Sequence, residues 1–239
     1  MMKIDILAIG VHPDDVELSA SGTLLKHLNI GYSAGICDLT GGELGTRGSK
    51  ELRLQEADSA GNFLGVSFRV NLDMRDGFFN HSEENIKKII TIIRKHQPEI
   101  VLANAIQDRH PDHGRAAKLI SDACFYSGLE KIQTVFYGIN QTPWRPRAVY
   151  HYIQDRNIKA DFVVDISEYI DKKMDAILEF KSQFFDPNSN EPSTPISGKA
   201  FLEFIKAKNK SYGRDINVEY AEAFTTDRNI GVKDLFDLI

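Results

Sequence analysis

Two rhythms of apolar and polar positions alternate along the first half of the chain. Ile4 to Val11 (IDILAIGV) is a short apolar run and reads as a buried strand. Val16 to Leu28 then places Leu18, Leu24, Leu25 and Leu28 at the spacing of a helix. Tyr32 to Leu39 is a second strand, followed by a glycine-rich loop, Gly41 to Gly48, a helix from Glu51 to Leu64 and a third strand from Ser67 to Leu72. The most periodic helix, Glu83 to His96, carries Ile86, Ile89, Ile90 and Ile93 on one face and is closed by Pro98, which cannot continue it. Ile100 to Ala105 is a fourth strand and His113 to Tyr126 a fourth helix. The alternation predicts an α/β fold, a Rossmann-like, mostly parallel sheet with helices on both faces.

The second half is less regular. Val135 to Ile139, Val149 to Ile153 and Phe162 to Ile166 read as strands, and Glu168 to Phe184 as a helix with Ile170, Met174, Ile177 and Leu178 on one face. Asp186 to Ser197 (DPNSNEPSTPIS) is dense in turn formers and is the candidate mobile loop. A helix from Lys199 to Lys208 and a strand from Val218 to Thr225 follow; Val232 to Ile239 has an amphipathic pattern too short to assign. With no repeat, low-complexity tract or linker, residues 1–239 read as one domain, a length at which one core buries roughly 70–75% of the unfolded surface.

Ligands of open α/β sheets bind beyond the carboxyl ends of the strands. That rule places the active site among three loops: His12 to Asp15, Gly41 to Gly48 and Gln107 to Asp112. Composition narrows the partners. A net charge of −5 gives no support for binding nucleic acid or an anionic membrane. Cys37 and Cys124 are isolated in apolar contexts, so neither a disulfide framework nor a cysteine zinc clip is on offer. Met1 to Val11 is too short for a signal peptide and is interrupted by Asp5, and no run approaches the ~18 apolar residues of a membrane span. A cytoplasmic enzyme or binding protein is expected.

Two of the three loops hold the densest His/Asp clusters of the chain. His12-Pro13-Asp14-Asp15-Val16-Glu17 sets one imidazole and three carboxylates directly after a strand, with His12 and Asp15 spaced to converge on one ion. Asp108-Arg109-His110-Pro111-Asp112-His113 repeats the spacing with His110 and His113. Taken singly, either cluster reads equally well as helix capping, since aspartates after a strand often cap the next helix. Together they point to a metal with three protein ligands and a fourth position for water, the arrangement of catalytic zinc. Iron, cobalt or manganese also accept such donors. Amide hydrolysis needs a base for the water and a donor for the developing charge. Asp14 is a carboxylate left over beside the metal, one histidine of the second cluster is left over as donor, and Asp112 sits where it can orient either histidine. Spacing does not decide which of His110 and His113 binds the metal.

HPDDVE (residues 12–17), TGGELGTRGSKELRLQEA (Thr40 to Ala57) and HPDH (residues 110–113) closely resemble the PIG-L/LmbE family of zinc deacetylases, over at least Met1 to Ser127. That family acts on N-acetylglucosamine groups attached to small molecules or lipids. The resemblance implies His12, Asp15 and His113 as zinc ligands, Asp14 as base, His110 as transition-state stabiliser or acid with Asp112 as its partner, and Arg53 as a substrate contact. On its own residues Arg53 reads as a solvated helix position paired with Glu51 or Glu56. Arg47 and its glycines invite a phosphate-cradle reading, but that fingerprint should follow the first strand directly, so a substrate-shaping loop is expected.

Tyr212-Gly213 and Val218 to Phe224 (VEYAEAF) resemble the closing pattern of the bacillithiol-pathway deacetylases, which release acetate from N-acetylglucosaminyl malate. An anionic malate would give Arg53, Arg47 or Arg109 a charge to meet. Members of that branch are often oligomers, hexamers in particular, which implies a homo-oligomer acting on a small acetylated amino sugar. Three rivals compete. The substrate could be a chitooligosaccharide or a thiol-conjugate amide; the chain could be a non-catalytic metal- or sugar-binding module; or it could bind nucleotides, for which it lacks the glycine fingerprint.

Overall fold

The computed structural model describes residues 2–237. Its centre is a seven-stranded sheet in the order β3-β2-β1-β4-β7-β9-β8. The strands are β1 Ile6–Gly10, β2 Ala34–Thr40, β3 Arg69–Met74, β4 Ile100–Ala103, β7 Ala148–Tyr152, β8 Phe162–Asp165 and β9 Ala221–Thr225. β5 (Val135–Phe136) and β6 (Ile139–Asn140) form a separate hairpin. The first five strands of the sheet order pair in parallel, and β9 enters antiparallel between β7 and β8. The helices are α1 Asp15–Asn29, α2 Lys50–Leu64, α3 Glu83–His96, α4 Pro111–Tyr126, α5 Ile170–Leu178 and α6 Lys199–Asp215.

Because side chains alternate along a strand, β1 serves two cores. Leu7 and Ile9 pack with the isoleucines of α3 and with Leu119 and Ile120 of α4. Ile6 and Ala8 face Val16, Ala20 and Leu24 of α1 on the opposite side. A third cluster joins α2, α5 and α6 through Ala60, Ile177, Phe180 and Ile205. Helices thus cover both faces of a mostly parallel sheet, as the alternation of patterns predicts.

Three expected elements differ. The strand expected over 135–139 is a hairpin, because Tyr137 and Gly138 both take positive φ (47° and 77°), the two-residue turn that matches strand twist. The helix expected over 168–184 opens with a 3-10 turn and its α-helical part ends at Leu178. Beyond it, the Ser182 amide donates to the carboxylate of Glu56 at 2.7 Å instead of to a helix carbonyl, while Phe180 and Phe184 turn inward. The last helix continues past Lys208 to Asp215. Its apolar signal fades there because Lys208 and Tyr212 face a cleft and not the core. The amphipathic pattern over 232–239 extends beyond the described residues.

Chain order fixes where ligands can sit. β1, β2 and β3 step outward in one direction, and β4 returns to the other side of β1. β1 and β4 therefore flank the topological switch point, where the loops at their carboxyl ends diverge and leave a crevice.

Candidate active site and metal centre

The loop after β1 carries His12 to Asp15, and the loop after β4 carries Asp108 to His110, with Asp112 and His113 in the first turn of α4. Asp15 sits between the two clusters. Its Oδ2 lies 3.9 Å from Nδ1 of His12, and its Oδ1 lies 3.2 Å from Nε2 of His113. Oδ2 also accepts the amides of Val11 and His12 (2.9 Å each) and Nδ2 of Asn104 (2.9 Å). Gln154 donates to Oδ1 at 3.0 Å. His12, His110 and His113 each bring a ring nitrogen within 4.8 Å of the others.

Each of the two histidines beside Asp15 has its other nitrogen held by a carboxylate. Nε2 of His12 is 2.9 Å from Asp76 and 3.7 Å from Asp112; Nδ1 of His113 is 2.6 Å from Asp108. Carboxylate-held imidazoles of this kind fix the tautomer and raise the basicity of a metal-ligating nitrogen. The nitrogens that converge are those of His12, His110 and His113, with the Asp15 carboxylate beside His12 and His113, and imidazole and carboxylate donors of this kind suit a divalent ion such as zinc. His12, Asp76 and Asp112 also converge, but on the outer nitrogen of His12, where the 2.9 Å contact is that of a hydrogen bond.

Electrostatics follow from this packing. Burial lowers the His12 pKa, but Asp112, Asp76 and Asp15 outweigh it and raise the value to about 10. Burial likewise opposes protonation of His113, and Asp15 with Asp108 brings it up to about 9. Burial pushes Asp15 upward, yet His113 and His12 hold it well below the usual carboxylate range. Asp14 goes the other way. Burial pushes its carboxyl up to about 7, only partly offset by Arg53.

Asp14 precedes α1 with φ at 117°, a backbone state that costs a non-glycine residue roughly 1–3 kcal/mol and persists only where the surroundings impose it. Arg53 supplies that constraint from α2. Its Nη2 donates to Asp14 Oδ2 at 2.9 Å and to the Pro13 carbonyl at 2.8 Å, and its Nη1 donates to the Gly42 carbonyl at 3.3 Å. Gly42 has φ at 64°, and a β-carbon there would stand 2.1 Å from Arg53 Nη1. The glycine-rich loop is thus shaped around this guanidinium.

His12, Asp14, Asp15, His110 and His113 all line one cleft of about 340 Å³, together with Arg53 and Arg109. Arg53 is buried, not solvated as its own residues would have it, and is committed to Asp14. Arg109 pairs with Asp155. Arg47 lies apart from the cleft lining; its Nη2 donates to Ser189 Oγ at 2.6 Å, tying the glycine-rich loop to the 186–197 segment. Asp112 also stands behind the cleft wall. It holds His110 through its backbone amide, which donates to Nδ1 at 3.3 Å, whereas its carboxylate accepts from Gly77 and Arg115 and faces His12. The carboxylate partnership expected with His110 therefore goes to His12. Asp76, Asn104 and Gln154 join the site without having been expected there. Asp76 follows β3, a fourth strand-end loop to which the same rule applies, and it marks a turn at Asp76-Gly77.

Residues 7–124 match the family model described as GlcNAc-PI de-N-acetylase, PIG-L. A diacetylchitobiose deacetylase of Thermococcus kodakarensis is 32% identical over 75% of this chain and 70% of its own length. A 4-oxalmesaconate hydratase of Pseudomonas putida is 26% identical over 72% of this chain and 70% of its own length. Among solved structures, a conserved protein from Thermus thermophilus superposes with a TM-score of 0.85 at 33% identity, covering 97% of this chain and 98% of that one.

Proposed function

Because the chain belongs to the PIG-L family of de-N-acetylases, we propose that it is a metal-dependent N-deacetylase, cleaving the acetamide of an N-acetylglucosaminyl compound to acetate and a free amine. The observation that carries the reading is Asp14. It is a buried carboxylate in the same cleft as the His12, Asp15 and His113 cluster, is not needed to hold an ion, and is kept in a costly backbone state by Arg53.

His12, Asp15 and His113 are the residues that would hold the ion. A divalent metal there supplies Lewis-acid polarisation of the acetamide carbonyl and acidifies the hydrolytic water. Asp14 takes the proton of the attacking water, with Arg53 orienting the carboxylate. His110 accepts a backbone N–H at Nδ1, so its neutral ring carries the proton on Nε2, the atom free to hydrogen-bond the developing oxyanion, while the proton that Asp14 took from the water passes on to the leaving amine. Asp76 and Asp108 keep the two ligand rings in register. The residues that build the cleft run from His12 to Ala223, and we read the chain as one deacetylase domain.

The closing VEYAEAF pattern supports N-acetylglucosaminyl malate as substrate; the Thermococcus relative favours a chitooligosaccharide. The Pseudomonas relative supports a second reading, hydration of a 4-oxalmesaconate-like tricarboxylate, since both reactions activate water. Among the described residues no helix is long and apolar enough to cross a membrane. Mass spectrometry of the zinc-loaded protein with N-acetylglucosaminyl malate and N,N'-diacetylchitobiose is expected to show acetate release. Asp14→Ala is expected to keep the metal and lose on the order of 10²–10⁴ in rate, the usual weight of a general base. Loss of the metal from that variant would overturn the assignment of Asp14, and absence of acetate from both sugars would overturn the deacetylase reading.

A further inference from the structure

The cleft is lined by more than the His/Asp cluster, and one of its walls is a face of α6. Phe201, Phe204, Ile205, Lys208, Asn209 and Tyr212 recur at helical spacing and all line it. Phe204 is 39% exposed, an aromatic surface that the core does not use. The other cations near the cleft are occupied: Arg53 by Asp14, Arg109 by Asp155, and Arg47, behind the wall, by Ser189. Lys208 is different. Its Nζ donates to the backbone carbonyl of Asp155 at 3.4 Å and lies over the Phe204 ring, 6.0 Å from the centroid, and among the described residues no carboxylate pairs with it within 4.0 Å. Beside it in the lining, Tyr212 Oη and Thr194 Oγ1 are buried without a hydrogen-bond partner.

We propose that this end of the cleft is the subsite for the group attached to the sugar, and that Lys208 sets its specificity by receiving a carboxylate of that group. The proposal rests on the deacetylase reading above. Tyr212 Oη and Thr194 Oγ1 supply the hydrogen bonds that complete such a site, and Phe204 covers the aliphatic part of the ligand. A half-buried ammonium has lost part of its hydration, and burial, offset only in part by Asp108 and Asp155, holds the Lys208 pKa down to about 8. An incoming carboxylate would restore what desolvation removed, whereas a neutral second sugar would bring no opposite charge. The cation that meets an anionic aglycone is therefore a lysine of α6 and not the arginines of the motif loops.

The test compares kcat/KM for N-acetylglucosaminyl malate and for N,N'-diacetylchitobiose in the zinc-loaded wild type, Lys208→Met and Lys208→Arg. The wild type is expected to prefer the malate compound. Lys208→Met is expected to lower that preference about 10- to 100-fold through KM, the weight of a charged hydrogen bond, and Lys208→Arg to restore most of it. A merely structural role would depress both substrates together, so an unchanged ratio in Lys208→Met overturns the proposal. If the wild type releases acetate from neither sugar, the deacetylase reading fails on its own account. The subsite is then judged by calorimetric binding of glucosaminyl malate and methyl glucosaminide to wild type and Lys208→Met. Tighter binding of the malate compound that depends on Lys208 sustains the subsite, and no such difference overturns it.

Discussion

Asp76 makes the case for reading carboxylates by what they hold. It carries no motif signature, yet its Oδ1 is 2.9 Å from His12 Nε2 and its Oδ2 accepts the Leu44 amide at 3.0 Å. It holds His12, the proposed ligand, and anchors the glycine-rich loop in one side chain. Asp76→Ala is expected to weaken zinc binding about 10- to 100-fold in a competitive chelator titration, with the fold intact by circular dichroism. The charges of the site also give metal uptake a pH dependence. Without metal, His12 and His113 keep their protons to about pH 10 and about pH 9, and both must lose them to bind an ion. Apparent zinc affinity should thus rise with pH from about 6 to about 9, with close to two protons released per ion, measurable by calorimetry in buffers of different ionisation enthalpy. A pH-independent affinity would remove His12 and His113 as ligands. Much of this was legible in the sequence, because HPDD and HPDH each lie within one turn of chain. Asp76, Asn104 and Gln154 were not, because they reach Asp15 and His12 from separate strands and only the sheet order brings them together.

Among elements, β9 has a task that its sequence pattern did not reveal. Glu222 points from it into the middle of α1, where it accepts the amides of Gly22 and Thr23 at 3.0 and 2.7 Å, and it pairs with Lys173 of α5 at 2.6 Å. Lys173 and Glu222 are both almost fully buried. One carboxylate thus pins α1, whose first residue is Asp15, to α5 and to the sheet. Removing one member of such a pair strands the other charge, so Lys173→Met is expected to destabilise the protein by about 3–5 kcal/mol in urea unfolding. The double variant Lys173→Met, Glu222→Gln should recover a large part of that loss. Helices that bury an apolar stripe, α3 above all, are plain from periodicity alone. α5 and α6 are less so: Ser182 bonds a side chain from another helix, and the last turns of α6 face a cleft, so neither obeys the core-facing rhythm on which the reading depends.

At the scale of the molecule, the α/β alternation predicted the parallel sheet and its strand-end crevice, because βα repetition leaves few ways to cover two apolar faces. It did not order β7, β8 and β9. A strand of four or five residues pairs as readily with either neighbour, and β9 runs antiparallel to both β7 and β8. The net charge of −5 is likewise no guide to the cleft, whose lining includes the cations Arg53, Arg109 and Lys208.

The switch point between β1 and β4 has one more effect. Residues 12–15 and 108–113 stand about a hundred positions apart in the chain, and they meet only after β4 has docked on β1. An ion held by His12, Asp15 and His113, as proposed, would therefore act as a rivet across the closure of the sheet. It cannot be captured by either loop alone, and once seated it would tie the site's geometry to the pairing of the two central strands.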